Sequence, residues 1–176
     1  MARLIAKTPA EGMLPIQIGD CRLEERLYEA ITWVAPFDGH ETAVGKEIGL
    51  ALPGPGQMTD GGNRLALWTG PGQALVLGPP VAPRNAAVAD QSSAWVVLTL
   101  SGAAARDVLA RLTPLDVRDT AFPEASTART LVGHMTASLS RIGPRTYEIM
   151  VFRSMTRTAI HEIARAMKGV TARAAL

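Results

Sequence analysis

The sequence predicts an α+β fold, a mostly antiparallel sheet with helices packed on one face. Three observations carry this. Short β-branched and aromatic runs outnumber helical stretches. Two pairs of these runs are joined by tight Gly-Pro turns, which excludes an all-parallel sheet. The helical stretches each carry a single apolar stripe. The predicted order is β-α-β-β-β-α-β-β-β-α.

Residues 1–20 contain Pro9, Gly12, Pro15 and Gly19 and read as an irregular arm. Residues 21–170 read as one α+β domain, divisible into lobes 21–92 and 93–170, and 171–176 as a C-terminal tail. A strand is predicted over 27–35, ended by Pro36. Asp38 then opens a helix, with Glu41 completing a capping box. Its apolar face, Ala43, Val44, Ile48 and Leu50, is weakened by Gly45 and Gly49. Residues 53–63 read as loop, and 64–69 and 74–78 as a hairpin turning at Gly70, Pro71, Gly72 and Gln73. Residues 79–92 read as loop again.

A strand over 94–100 follows, and Ser101 caps a helix over 103–112 that Pro114 stops. Three further strands span 127–132, 135–141 and 147–152, the last two turning at Gly143 and Pro144. In the last strand Tyr147, Ile149 and Val151 face one way, and Glu148, Met150 and Phe152 the other. Ser154 caps a final helix whose stripe is Met155, Ala159, Ile160, Ile163 and Met167, with Gly169 as its stop.

A chain of 176 residues with 47% hydrophobic content buries a core without metal or disulfide, and it is too apolar for disorder. Charged residues are only 19%, which suits a surface partly covered by a partner. The net charge of +2 divides into −2 over residues 1–88 and +4 over 89–176. The arginines of the basic half are dispersed and aromatics are 5%, so the clustered pattern of a nucleic-acid binder is missing. The sequence shows neither the apolar run of a signal peptide at its start nor a membrane span. The expectation is a cytoplasmic protein without membrane or nucleic-acid partners.

Legible chemistry is sparse. His40, His134 and His161 have no ligand spacing, which gives no support for a metal. Cys21, the single cysteine, sits among Asp20, Arg22 and Glu24 and reads as a semi-buried thiol. Ser92 and Ser93 lack a nucleophile elbow and read as turn residues. The Gly-Pro-Gly segments at 54–56 and 70–72 lead into strands rather than helices and lose an amide donor to proline, so they are turns and not phosphate loops. The pairs Asp116 with Asp119 and Glu24 with Glu25 fall on no predictable cleft wall. No catalytic, cofactor-binding or metal-ligating residue is assigned.

An ordered set of segments goes further. Leu67, Trp68, Gly70, Pro71, Leu75, Val76 and Leu77 form one. Asp90 and Ser92, then Leu98, Leu100, Gly102, Ala105, Val108, Leu109, Leu115 and Asp116, form a second. Phe122 and Pro123, then Thr130, Leu131 and Gly133, lead to a hairpin ending Tyr147, Glu148, Ile149, Val151, Arg153 and Ser154. In order and spacing these resemble the gamma subunits of heterotetrameric sarcosine oxidases over about residues 27–168. That family resembles in turn the folate-binding domain of aminomethyltransferases. The transferases carry a folate-contacting Asp on the strand before the tyrosine hairpin, where this chain has Met135, Thr136 and Ala137.

The resemblance implies an accessory, non-catalytic subunit of an assembly that oxidises sarcosine to glycine, with one-carbon transfer to tetrahydrofolate. FAD, FMN, NAD and tetrahydrofolate would lie on other subunits. Partners would be the alpha, beta and delta subunits, mainly alpha. The alternative is an autonomous folate-binding or one-carbon-transfer module. Interface candidates chosen by residue type are Trp33, Trp68, Met150, Arg153 and Arg157. Trp95 and Phe152 are candidates of the same type; an intrachain core is the alternative for the tryptophans and Phe152, and it is preferred for Trp95. Arg153, between the last strand and its helix, is the preferred polar anchor.

Overall fold

A computed structural model describes residues 7–175. The beginning of the predicted arm, 1–6, and the tail residue Leu176 lie outside the described residues. Two antiparallel sheets pack face to face. The first has six strands in the order β1(Ile16–Ile18), β2(Cys21–Glu25), β8(Trp95–Ser101), β11(Thr146–Phe152), β10(Met135–Gly143) and β9(Thr127–Val132). The second has five, ordered β4(Met58–Asp60), β5(Leu65–Gly70), β6(Gln73–Gly78), β3(Ala30–Pro36) and β7(Ala86–Asp90).

Strand alternation sends each residue to one of three apolar layers. Between the sheets lie Ile31, Leu65, Leu67, Leu75 and Leu77 of one sheet, against Trp95, Val97 and Met150 of the other. The far face of the six-stranded sheet, with Val96, Leu98, Leu100, Leu139, Ile149 and Val151, is covered by α2(Ala105–Leu109) and α3(Thr156–Ala174). The far face of the five-stranded sheet, with Val34, Ala66 and Val76, is covered by Val44 and Ile48 of α1(Glu41–Ile48). The α+β class stands, but there are two sheets rather than one, and the helices lie on opposite outer faces rather than on one. The reason is that sheets packed together each retain a second apolar face, and each needs its own cover.

The facing predicted for the last strand is observed: Tyr147, Ile149 and Val151 enter the helix-covered core, while Met150 enters the inter-sheet layer. Four strands were not predicted. β1 lies inside the presumed irregular arm, and β4 and β7 inside presumed loops, while β2 was not foreseen. β7, with the unremarkable sequence Ala-Ala-Val-Ala-Asp, exists because β3 offers it a free edge in register from Thr32–Asp90 to Pro36–Ala86.

Helix ends also differ. Asp38 lies in a turn, and α1 begins at Glu41 after His40, with no side-chain cap. Ser101 stays in β8, and α2 is only five residues long, because pairing with Arg22 and Thr146 holds the strand one residue further. Ser154 lies in a 3-10 turn, Arg153–Met155, and Met155 is exposed rather than part of the stripe. Gly169 does not stop α3, which continues into the presumed tail because Val170 packs on the core.

Gly102 is required by its surroundings. It joins β8 to α2 at φ +123°, and a Cβ there would lie 1.8 Å from the Asp20 carbonyl oxygen. Gly102→Ala is expected to cost about 2–3 kcal/mol through overpacking and backbone strain. Gly169, inside α3 with open space beside it, gives the opposite expectation: Gly169→Ala should stabilise by up to about 1 kcal/mol. Denaturant midpoints of the two variants check both.

Candidate functional site

The crossover from β2 to β3 carries the chain from one sheet to the other through Arg26, Leu27, Tyr28 and Glu29. Beneath it Glu148 of β11 is fully buried. Two donors converge on one of its oxygens: the Tyr28 hydroxyl at 2.7 Å and Arg26 Nη1 at 2.7 Å, both to Oε1. Oε2 has no partner among the described residues. The Arg26 guanidinium also lies over the Tyr28 ring, 4.9 Å from its centroid. Burial pushes the Glu148 carboxyl above its ordinary range, against the opposing pull of Tyr28 and Arg26. Burial, then the Glu148 charge, pushes the Tyr28 phenol strongly up. This group fastens the crossover to β11 and has no exposed acid to offer a substrate.

Outside it opens a cleft of about 260 Å³, lined by Arg26, Leu27, Tyr28, Ser92, Trp95 and Arg153 among others. Trp95 is buried, as preferred from the sequence, and its ring stacks on Phe152 at 4.7 Å. Phe152 is 44% exposed, Met155 42% and Leu27 67%, so of the two readings open for Phe152 its exposure does not fit a core. The cause is its place at the end of β11, beyond the cover of the second sheet. Arg153 is exposed, and its Nη2 donates to the Lys7 carbonyl at 2.9 Å across the cleft rim. The result is an apolar surface edged by Arg26 and Arg153, a composition typical of interface centres.

Other predicted candidates fall elsewhere. Met150 is 1% exposed in the inter-sheet layer and has no surface to present. Trp33 is half-buried against the same layer and donates its indole N–H to Gln73 Oε1 at 3.2 Å. Trp68 lines a separate groove of about 330 Å³ with Pro36, Pro53, Pro55 and Pro71. Arg157 is exposed on the first turn of α3. Leu27 and the Arg26–Tyr28–Glu148 group were missed. The alternation that aims Glu148 inward with Met150 was the available signal.

Ser92 accepts from the Ile31 amide and donates to Asp90 Oδ1 at 2.5 Å, which makes a turn rather than a nucleophile. Cys21 is buried, and burial raises its thiol pKa. Among the described residues no group of three or more His, Cys, Asp and Glu is placed to hold a metal. Met135 and Ala137 point into the helix-covered core and Thr136 outward, so this stretch presents no carboxylate to a folate. Among the described residues no helix is long and apolar enough to cross a membrane.

Fold and surface together define a two-sheet α+β module that carries an apolar, arginine-edged cleft. Residues 35–161 match the sarcosine oxidase, gamma subunit family, and the chain belongs to that family. Among solved structures it is similar to a chain of the heterotetrameric sarcosine oxidase from Corynebacterium sp. U-96 in complex with pyrrole 2-carboxylate. The match covers 94% of this chain and 96% of that one, at 22% identity and a TM-score of 0.85, and shows a shared fold. No curated protein matches.

Two outcomes test the buried group. Tyr28→Phe removes a donor to a buried carboxylate and should cost about 2 kcal/mol. A raised Glu148 pKa means the folded state holds that proton more tightly than the unfolded chain, whose value is near 4.5. Its contribution therefore turns less favourable as pH rises from 4.5 through the folded value and is level above it. Glu148→Gln should flatten that part of the stability profile, read by urea unfolding at a series of pH values.

Proposed function

We propose that this chain is the gamma subunit of a four-subunit sarcosine oxidase and acts there as a non-catalytic accessory that packs mainly on the large alpha subunit. Family membership over residues 35–161 carries the reading. The full-length fold similarity to a chain of a heterotetrameric enzyme supports it. So does the surface: Leu27, Phe152 and Met155 are large apolar groups left exposed beside two arginines, which suits coverage by a neighbour.

On this reading the oxidation of sarcosine to glycine takes place on other subunits. FAD, FMN, NAD and tetrahydrofolate belong there too, and so does one-carbon transfer. What this chain supplies is a rigid two-sheet body. The Glu148 group holds the crossover in place, so that Leu27 and Arg26 stand at a fixed distance from Arg153 and Phe152. A preset surface of this kind loses little conformational entropy on docking.

Co-expression with the alpha, beta and delta subunits tests the proposal. The chain should co-purify with a large flavin-bearing partner, and elution as a separate monomer would overturn the reading. Leu27→Asp and Arg153→Ala should each weaken assembly by about tenfold or more while leaving the thermal midpoint of the chain nearly unchanged. A lowered midpoint for Arg153→Ala with unaltered assembly would instead assign that arginine to the Lys7 contact.

A further inference from the structure

A second pocket, of about 230 Å³, lies at the junction of β8 and α2 with the β10–β11 turn, outside the cleft described above. Gly102, Ala103, Arg106, Asp119, Arg145 and Tyr147 line it, together with Pro144. Its charge is unbalanced. Asp119 takes Arg106 Nη1 at 3.2 Å on one oxygen and Arg141 Nη1 at 2.8 Å on the other. Arg141 is buried behind it and fully engaged: its remaining donors go to the carbonyls of Phe122, Gly143 and Pro144. Arg145, on the turn, is exposed and its side chain has no partner among the described residues. Two guanidiniums thus engage one carboxylate, and a third lines the same pocket. Asp107 adds to the field but lines the neighbouring grooves instead.

The second observation is Tyr147. Its side chain is 1% exposed, deep in the helix-covered core, yet it lines this pocket. Its hydroxyl makes no hydrogen bond among the described residues and, unlike the fully enclosed unpaired oxygens of Thr69, Ser138 and Glu148, it reaches the open pocket. The charged groups that face it are Arg141, Asp119, Arg106 and Asp107. Arg141 also lies over the ring at 5.8 Å from its centroid. A neutral hydroxyl donor lining the same pocket as the Arg106 and Arg145 guanidiniums is a donor set that a carboxylate satisfies, since each oxygen can accept from an Arg fork and a spare lone pair from the phenol.

We propose that this pocket is a carboxylate-binding site, in which Arg106 and Arg145 clasp the anion and the Tyr147 hydroxyl donates to it. Asp119 and Arg141 hold Arg106 in position, and the rigid glycine turn at Gly102 keeps the floor open. The carboxylate is either free, on a small organic acid that fits about 230 Å³, or carried by a side chain or C-terminus of a neighbouring subunit.

The test has two arms. In the first, the full chain in chloride-free buffer of constant ionic strength is titrated with glutarate and, separately, with inorganic phosphate, while amide NMR shifts around residues 102–106 and 144–147 are followed. The site predicts saturable shifts with glutarate, weakened about tenfold by Arg145→Ala and by Tyr147→Phe, as expected for loss of one charge-assisted bond. Lys46→Ala, on α1 at the opposite side of the fold, should have no effect. In the second arm, Arg145→Ala is co-expressed with the partner subunits. Saturable glutarate binding by the chain alone assigns the site to a free acid. No such binding, together with about tenfold weaker assembly of Arg145→Ala, assigns it to a partner's carboxylate. Unaltered shifts and unaltered assembly overturn the proposal, as does binding that survives both substitutions. Arg145→Ala keeps the test decisive if Tyr147→Phe disturbs folding, because Arg145 is exposed.

Discussion

A single buried carboxylate governs how the two sheets meet. Glu148 sits on the inward face of β11, where every apolar neighbour makes ionisation costly. It is tolerated because Arg26 and Tyr28 both reach its Oε1 from the crossover that links the sheets. A buried ion pair adds little net stability compared with apolar packing, but removing one partner leaves an uncompensated charge. The consequence is specificity of placement. The contacts tie the crossover to β11, and from it β3 runs into the second sheet in register with β6 and β7.

The same arrangement accounts for the surface. Because Arg26 and Tyr28 turn inward to the carboxylate, Leu27 between them is forced out to 67% exposure. Strand alternation at the end of β11 likewise leaves Phe152 stacked on Trp95 but uncovered on its other side. Two independent constraints of backbone geometry thus set apolar groups on either side of one cleft. The arginine-lined pocket beyond α2 follows a different principle. There the core is closed by Tyr147, and the cations are arranged around its hydroxyl rather than around an apolar patch.

Much of the fold could be read along the chain, though little of the site. Strands with a run rich in β-branched and other large apolar residues, such as β8 and β11, were found within a residue or two of their ends. β2 and β7 carry no such run, and they form only because β8 and β3 present free backbone edges. Helix ends were misplaced where a capping residue was present but the chain was held by something stronger, as at Ser101, kept in the sheet by Arg22 and Thr146. Arg153 was legible as a candidate through its place between strand and helix. Met150 had the right residue type but the wrong face, and Leu27 gave no signal at all.

The sequence by itself determined the period of each strand, the α+β class and, through ordered motifs, the family. These are local properties, written in the alternation and spacing of residues along a few turns of chain. Tertiary structure alone decided that there are two sheets, that helices cover opposite outer faces, and that Arg26 and Tyr28 meet Glu148 across 120 residues of chain in the case of the tyrosine. Such pairings depend on which edges and faces remain unsatisfied once every element has formed, and a backbone group or carboxylate seeks its partner by distance in space rather than by distance in sequence.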